Sequence, residues 1–212
     1  MARPPVDAAR REGLKIVDLG CGFGWFCRWA RRQGAAHVLG LDVSSRMLAS
    51  ATAATADDGV AYKLADLEQV KLPRASFDLA FSSLTFHYIA DIARLYGEIS
   101  RSLVPGGHLV FSTEHPIYTA PRNPRLADRR EGRKDLADRQ LFPGSPRVTD
   151  WLAPGVRKYH RTISASLALL TGSGLAIDQV VEFKPSEEQI ATDPTLTEEL
   201  ERPMFLLISA HR

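Results

Sequence analysis

The stretch Val17-Asp18-Leu19-Gly20-Cys21-Gly22-Phe23-Gly24 limits the folds open to this chain more than any other. Leu14, Ile16, Val17 and Leu19 make the short apolar run of a parallel strand buried on both faces, so residues 15–19 read as that strand. Glycines at 20, 22 and 24 then allow a sharp turn and bring main-chain amides within reach of a ligand. A helix opening near Gly24 turns its first N–H groups to the same spot.

Spacing separates two ligands for such a turn. A dinucleotide fingerprint runs G-x-G-x-x-G, whereas this chain has G-x-G-x-G with Asp18 two positions ahead of the first glycine. A carboxylate there disfavours a pyrophosphate and suits an ammonium group. The pattern favours a zwitterionic ligand.

These eight residues resemble the first motif of the class I S-adenosylmethionine-dependent methyltransferases. The resemblance implies that the loop, through Asp18, Gly20, Cys21 and Gly22, wraps the methionine end of S-adenosylmethionine as cofactor. Later landmarks fall in the family's order. Residues 25–33 carry Trp25, Phe26, Trp29 and Ala30 at helical spacing, with Gly34 as the stop and the intervening arginines on a solvated face. Residues 38–41 form a second strand ending in Asp42, about 20 residues past the glycine loop, where an acid accepts hydrogen bonds from ribose hydroxyls. Ser44 fills the N-cap role that would otherwise explain Asp42.

Residues 44–55 read as an alanine-rich helix. The resemblance places Val43 and Met47 against the adenine, although core packing explains Met47 equally well. A third strand over 60–65 leads to Asp66 and Leu67, which the resemblance puts at the adenine amino group. The competing reading of Asp66 is a loop cap. Residues 77–83 form the fourth strand, whose end, with Ser82, lies beside the glycine loop at the switch point of the sheet. An amphipathic helix over 91–103, a Pro105-Gly106-Gly107 stop and a fifth strand over 109–113 complete the alternation.

Five alternating strands imply a parallel doubly wound sheet. Two more, over 175–183 and 204–210, pair antiparallel after a helix over 161–174. The fold expected is therefore an α/β three-layer Rossmann-like sandwich with a seven-stranded, mostly parallel sheet whose last strand is antiparallel. The whole of 1–212 reads as a single domain, with 115–160 inserted as a substrate lid or cap. That insert is rich in proline, lacks periodicity and holds Tyr118, Phe142 and Trp151. Basic residues exceed acidic ones over 122–139, but acids interleave with them, so nucleic acid is the disfavoured partner. Glu187, Glu188, Glu198, Glu199 and Glu201 read as solvated. The residues ahead of the first strand supply at most a short helix, where the resembled family carries longer cover.

Composition narrows the classes. At 212 residues, 44% hydrophobic and 25% charged with a net charge of +2, the chain suits one sizeable core and does not argue for nucleic acid. No apolar run reaches the roughly 18 residues that would span a bilayer, and no secretory signal is visible. Cys21 and Cys27 match neither a metal knuckle nor a redox pair, so reduced thiols in a cytoplasmic protein are expected.

Methyl transfer from a sulfonium is an in-line displacement that needs alignment and exclusion of water. If the acceptor must lose a proton, His87 and His115, after the fourth and fifth strands, are the candidate catalytic bases, with Glu114 behind them. The plainer readings make His87 a helix cap and His115 the fixed start of the insert. His160 belongs to the hinge after it. No acid and histidine pair stands at metal-ligand spacing, so a metal is disfavoured. The Asn-Pro-Pro-Tyr type of motif is absent, and a small organic molecule is the expected methyl acceptor. The alternatives are a catalytically silent cofactor-binding module that engages a partner through the basic insert and, less favoured by the glycine spacing, a nucleotide-dependent oxidoreductase. Nothing in the sequence sets the oligomeric state.

Overall fold

The computed structural model describes residues 13–119, 155–212 and three short segments between them, 126–128, 134–136 and 146–149. Residues 1–12, and with them the short helix and absent signal read there, lie outside the described residues, as do Phe142 and Trp151.

Parallel pairing joins β1 (Lys15–Leu19), β2 (His37–Asp42), β3 (Val60–Leu64), β4 (Phe77–Ser83) and β5 (Leu103–Glu114). With β10 (Ala176–Glu182) and β11 (Phe205–His211) they form one seven-stranded sheet in the order β10-β11-β5-β4-β1-β2-β3. Strand β11 runs antiparallel to both of its neighbours. The order reverses at β1, which lies between β2 and β4. A crevice therefore opens at the carboxyl ends of β1 and β4, where a connection leaves to either side.

Helices cover both faces because a parallel sheet must bury both. On one side, α3 (Ile92–Ser102) and α5 (Ile163–Gly172) close over Val17, Leu19, Leu109, Phe111, Leu206 and Ile208, with Leu95, Ile99 and Leu170 as their own contributions. Each such fully buried aliphatic side chain stabilises the fold by about 1.5–3 kcal/mol over its exposed state. On the other side, α1 (Trp25–Arg32) and α2 (Ser45–Ala53) bring Phe26, Cys27, Ala30 and Leu48 against Ile16 and Val38. Ser44 caps α2 by accepting from the Met47 amide, and Asp91 caps α3 by accepting from the Arg94 amide. An apolar groove of about 560 Å³ lies near the starts of the strands, between α1 and Leu79, Phe81 and Val110, away from the crevice.

Three local expectations change. Pro105-Gly106-Gly107 does not precede the fifth strand but interrupts it, since the register slips between Phe77 opposite Leu103 and Leu79 opposite His108. Gly106 takes φ 75°, and its amide donates to the Arg212 carbonyl while the Arg212 amide donates to Gly107, so the last residue of the chain pins the bulge. Helix α5 is shorter than read and starts behind a Thr162 cap. Glu199, expected in solvent, is 5% exposed and accepts a hydrogen bond of 2.9 Å from the Tyr118 hydroxyl.

The insert carries structure that its composition hid. After α4 (Pro116–Thr119) come two antiparallel pairs, β6 (Leu126–Asp128) with β7 (Lys134–Leu136) and β8 (Pro146–Thr149) with β9 (Val156–Tyr159). Strand β9 returns over the crevice, with the Lys158 ammonium 5.8 Å from the Tyr88 ring centre.

Candidate active site

The glycine loop is shaped by its neighbours. Gly20, Gly22 and Gly24 adopt φ of 83°, 52° and 70°, in the left-handed region that side chains disfavour. A Cβ on Gly20 would stand 2.1 Å from the Thr85 hydroxyl, and one on Gly24 would stand 2.0 Å from the Tyr62 hydroxyl. At Gly22 nothing lies within 4 Å, so this glycine alone of the three faces open space. Thr85 and Tyr62 were not singled out in the sequence; only their positions after β4 and inside β3 could have flagged them.

The loop amides are not bare. Gly20 and Cys21 both donate to the Leu41 carbonyl, at 2.8 and 2.9 Å, and Gly24 donates to Cys21 at 2.8 Å. The Gly22 amide donates to Oδ2 of Asp42 at 2.8 Å. A turn pressed against β2 satisfies these donors there, while the N-terminus of α1 carries no side-chain cap and keeps its first N–H groups at the same edge.

Asp42 has two duties. Its Oδ1 accepts from the Ser44 amide at 2.8 Å while Oδ2 holds Gly22. The carboxylate is only half-buried, and each oxygen keeps a further lone pair for a hydroxyl. Val43 next to it is 72% exposed, and Met47 is half-buried one turn along α2. The Ala65 amide donates to the Asp42 carbonyl at 2.9 Å, so the residues after β3 are drawn to the same edge. There Asp66 is exposed, with Oδ1 accepting from the Glu68 amide at 2.9 Å, whereas Leu67 is buried in the core.

Asp18 lies beneath the loop. It is 2% exposed, and the Cys27 thiol donates to its Oδ2 at 3.3 Å. Burial pushes its carboxyl up to about 7; the thiol bond draws it back and the neighbouring Asp42 adds to the rise. The Cys27 thiol is itself held protonated by the Cys21 sulfur beside it, by burial and by Asp18. Ser82 stands behind the loop, fully buried, with its hydroxyl donating to the Leu19 carbonyl at 2.7 Å. It positions the end of β1.

Beyond the loop, the chain leaves β4 through Leu84, which takes φ 53°, and enters a 3-10 turn over Phe86–Tyr88. His87 of that turn is buried. Its Nδ1 accepts from the Glu114 amide at 3.4 Å and lies 3.3 Å from the Thr113 hydroxyl. Burial, then the Lys158 and Arg161 charges, push the imidazole down to about 3. It is therefore neutral near pH 7, and the 3.9 Å between Nε2 and the Glu114 carboxylate is no ion pair. Glu114 pairs instead with Lys158, and Arg161 donates to the carbonyls of Ile89 and Ala90. Thr113, Glu114, Tyr159, Arg161 and His87 surround a cavity of about 30 Å³.

His115 is placed differently. Its Nδ1 accepts from the Ile117 amide of α4 at 3.2 Å and its Nε2 lies 3.0 Å from the Glu182 carboxylate at the end of β10, so both ring nitrogens are engaged. His160 lies at the root of the insert, its Nδ1 2.9 Å from the Thr119 hydroxyl. Among the described residues no group of three or more His, Cys, Asp or Glu could hold a metal ion, and no helix is long and apolar enough to cross a membrane.

Comparison with known proteins accords with this geometry. A family model described as a methyltransferase domain matches residues 17–111. The crystal structure of an S-adenosylmethionine dependent methyltransferase from Mesorhizobium loti is 58% identical, with a TM-score of 0.89 over 95% of this chain and 92% of that one. An uncharacterized protein of Haemophilus influenzae is 30% identical over 95% of this chain and 82% of its own length. The malonyl-[acyl-carrier protein] O-methyltransferase of Erwinia billingiae is 41% identical over 50% of this chain, a match that spans 41% of that enzyme.

Proposed function

Because this chain belongs to the class I S-adenosylmethionine-dependent methyltransferases, we propose that it methylates a small organic acceptor at the carboxyl ends of β4 and β5. When bound, S-adenosylmethionine supplies a methyl group already activated by the sulfonium charge. The protein then has to hold its two guests in line and keep water away.

The residues fit that cofactor. Gly22 leaves room where a side chain would intrude, beside the uncapped N-terminus of α1. Asp18 answers the ammonium from below the loop, Gly20, Cys21 and Gly22 pass along it, and Asp42 accepts from the ribose hydroxyls. Val43 and Met47 flank the adenine on one side, with Asp66 and Leu67 at its amino group. Ser82 supports the loop without touching the guest.

The observation that carries the acceptor reading is the small size of the space beside His87. It is about 30 Å³ and is lined by Tyr159, the last residue of β9, and by Arg161 just after it. A space of that size suits one polar group of a small molecule. Residues 115–160 act in this reading as the acceptor's cap, with Lys158 brought onto Glu114 and Tyr88. A base is not called for: the His87 imidazole is held far below neutrality and His115 has both nitrogens engaged. Nothing among the described residues favours the silent binding module, since most of the basic stretch it depends on lies outside them.

Calorimetry with S-adenosylhomocysteine, followed by transfer of labelled methyl to a panel of small acids, alcohols and amines, tests the proposal. Binding with transfer to one class supports it. Absence of S-adenosylhomocysteine binding ends it.

A further inference from the structure

We propose that the acceptor is a carboxylate and that His87 takes one of its oxygens as a neutral hydrogen-bond donor through Nε2–H, as a substrate-binding residue and not a base. This rests on the methyl-transfer reading above.

The hydrogen-bond accounts of the ring lead there. A nitrogen that accepts a backbone N–H carries no proton, and Nδ1 accepts from Glu114. The single proton of the neutral imidazole is then on Nε2. That atom is buried, the side chain being 3% exposed, and it has no hydrogen-bond partner among the described residues. Glu114 Oε1, at 3.9 Å, is beyond hydrogen-bond reach and is held by Lys158. A buried donor without an acceptor is costly, so a fold that keeps one beside a cavity has a use for it.

Size and place define the guest. A cavity of about 30 Å³ admits one water-sized atom. It lies two residues along from Thr85, which packs on Gly20, and so belongs to the same sheet edge as the loop. An N–H donor calls for an oxygen with a lone pair; a protonated amine, which has only donors, is turned away. A carboxylate supplies two oxygens. One receives Nε2–H, while the other forms the new bond to the methyl carbon as the carbon–sulfur bond breaks. The electron pair stays on sulfur, no proton leaves, and the products are an ester and a thioether. This agrees with a site whose two histidines are both unsuited to proton removal.

The test uses the full chain, with histidine labelled by ¹⁵N and saturated with S-adenosylhomocysteine, and malonate as the probe. The ring of His87 is expected to show the Nε2–H tautomer by NMR, and malonate, unlike methylamine, is expected to shift Nε2. Substitution His87→Gln, which places an amide N–H near the Nε2 position, should keep malonate affinity within about threefold, and His87→Phe should weaken it about tenfold or more. S-adenosylhomocysteine affinity should be unchanged in both. If His87→Phe does not fold, the tautomer, the malonate shift and His87→Gln still decide. An Nδ1–H tautomer, an Nε2 unmoved by malonate, or malonate bound equally by His87→Phe overturns the inference; a cavity that holds only water gives the second of these. Failure to bind S-adenosylhomocysteine overturns the methyltransferase reading instead.

Discussion

The amide of Gly22 donates to Oδ2 of Asp42 at 2.8 Å, so the carboxylate at the tip of β2 holds the glycine loop in place as well as facing the crevice. Loop and strand tip are thus one unit. Substitution Asp42→Ala should weaken S-adenosylhomocysteine by about 1–3 kcal/mol, roughly fivefold to 150-fold, because it removes the proposed ribose contact and strands the Gly22 and Ser44 amides. Calorimetry reads the affinity. A melting temperature that also falls in the unliganded protein would separate the loop role from the contact.

Asp18 sets a pH dependence with a definite sign. Its carboxyl stands at about 7 in the folded protein against 3.8 as a free group, so the folded state binds the extra proton between those values. Its contribution to stability is complete below pH 4 and is lost as pH rises through 7. The cofactor's ammonium needs the charged form, so S-adenosylhomocysteine affinity should fall as pH drops below 7, by up to about tenfold per unit. In Asp18→Asn the unliganded protein should melt higher above pH 7 while cofactor binding is lost. Equal affinity at pH 6 and pH 8 would refute the assignment.

Gly20 and Gly22 give a contrast within one loop. Ala at 20 must push against Thr85 at a φ of 83°, and should cost more than 1–2 kcal/mol of stability, on the order expected for backbone strain with overpacking. Ala at 22 meets nothing within 4 Å and carries only the penalty of its φ of 52°, about 1 kcal/mol. In the proposed binding mode its methyl group would instead stand in the cofactor's path. Thermal melts should therefore be more sensitive to Gly20→Ala, and the loss of S-adenosylhomocysteine affinity relative to the loss of stability should be larger for Gly22→Ala.

His87 contributes an acid limb. Its imidazole stands at about 3 folded against 6.5 free, so the unfolded chain binds the extra proton between those values. The contribution is intact above pH 6.5 and is lost as pH falls toward 3, at up to about 1.4 kcal/mol per pH unit. Denaturant unfolding at pH 7 and pH 5 measures it. His87→Gln should lessen the dependence; an unchanged slope would remove His87 from the balance.

Much of the fold was legible because its signals are local. The apolar run before Gly20, the cap at Ser44 and the amphipathic face of α3 each act within a few residues, and the structure has all three where they were read. The edge of the crevice was legible for the same reason, since Asp42 follows a strand and Gly20 follows another. Glu199 was misread because its partner, Tyr118, is 81 residues away. The pairs β6–β7 and β8–β9 were hidden because strands of three or four residues are too short to show a period.

The sequence by itself determined the alternation of strands and helices, and the glycine and acid positions that tie this chain to its family, because backbone freedom and apolar periodicity are properties of neighbouring residues. Only the tertiary structure decided that the amides of Gly20, Cys21 and Gly22 are turned to β2, that the Ser82 hydroxyl is given to the Leu19 carbonyl, and that His87 Nδ1 accepts from the Glu114 amide. Each of those depends on a hydrogen bond to a distant strand. The partner of Gly22 is 20 residues away and that of His87 is 27, and a donor's partner across such gaps is set by how strands pair and not by what the residues are.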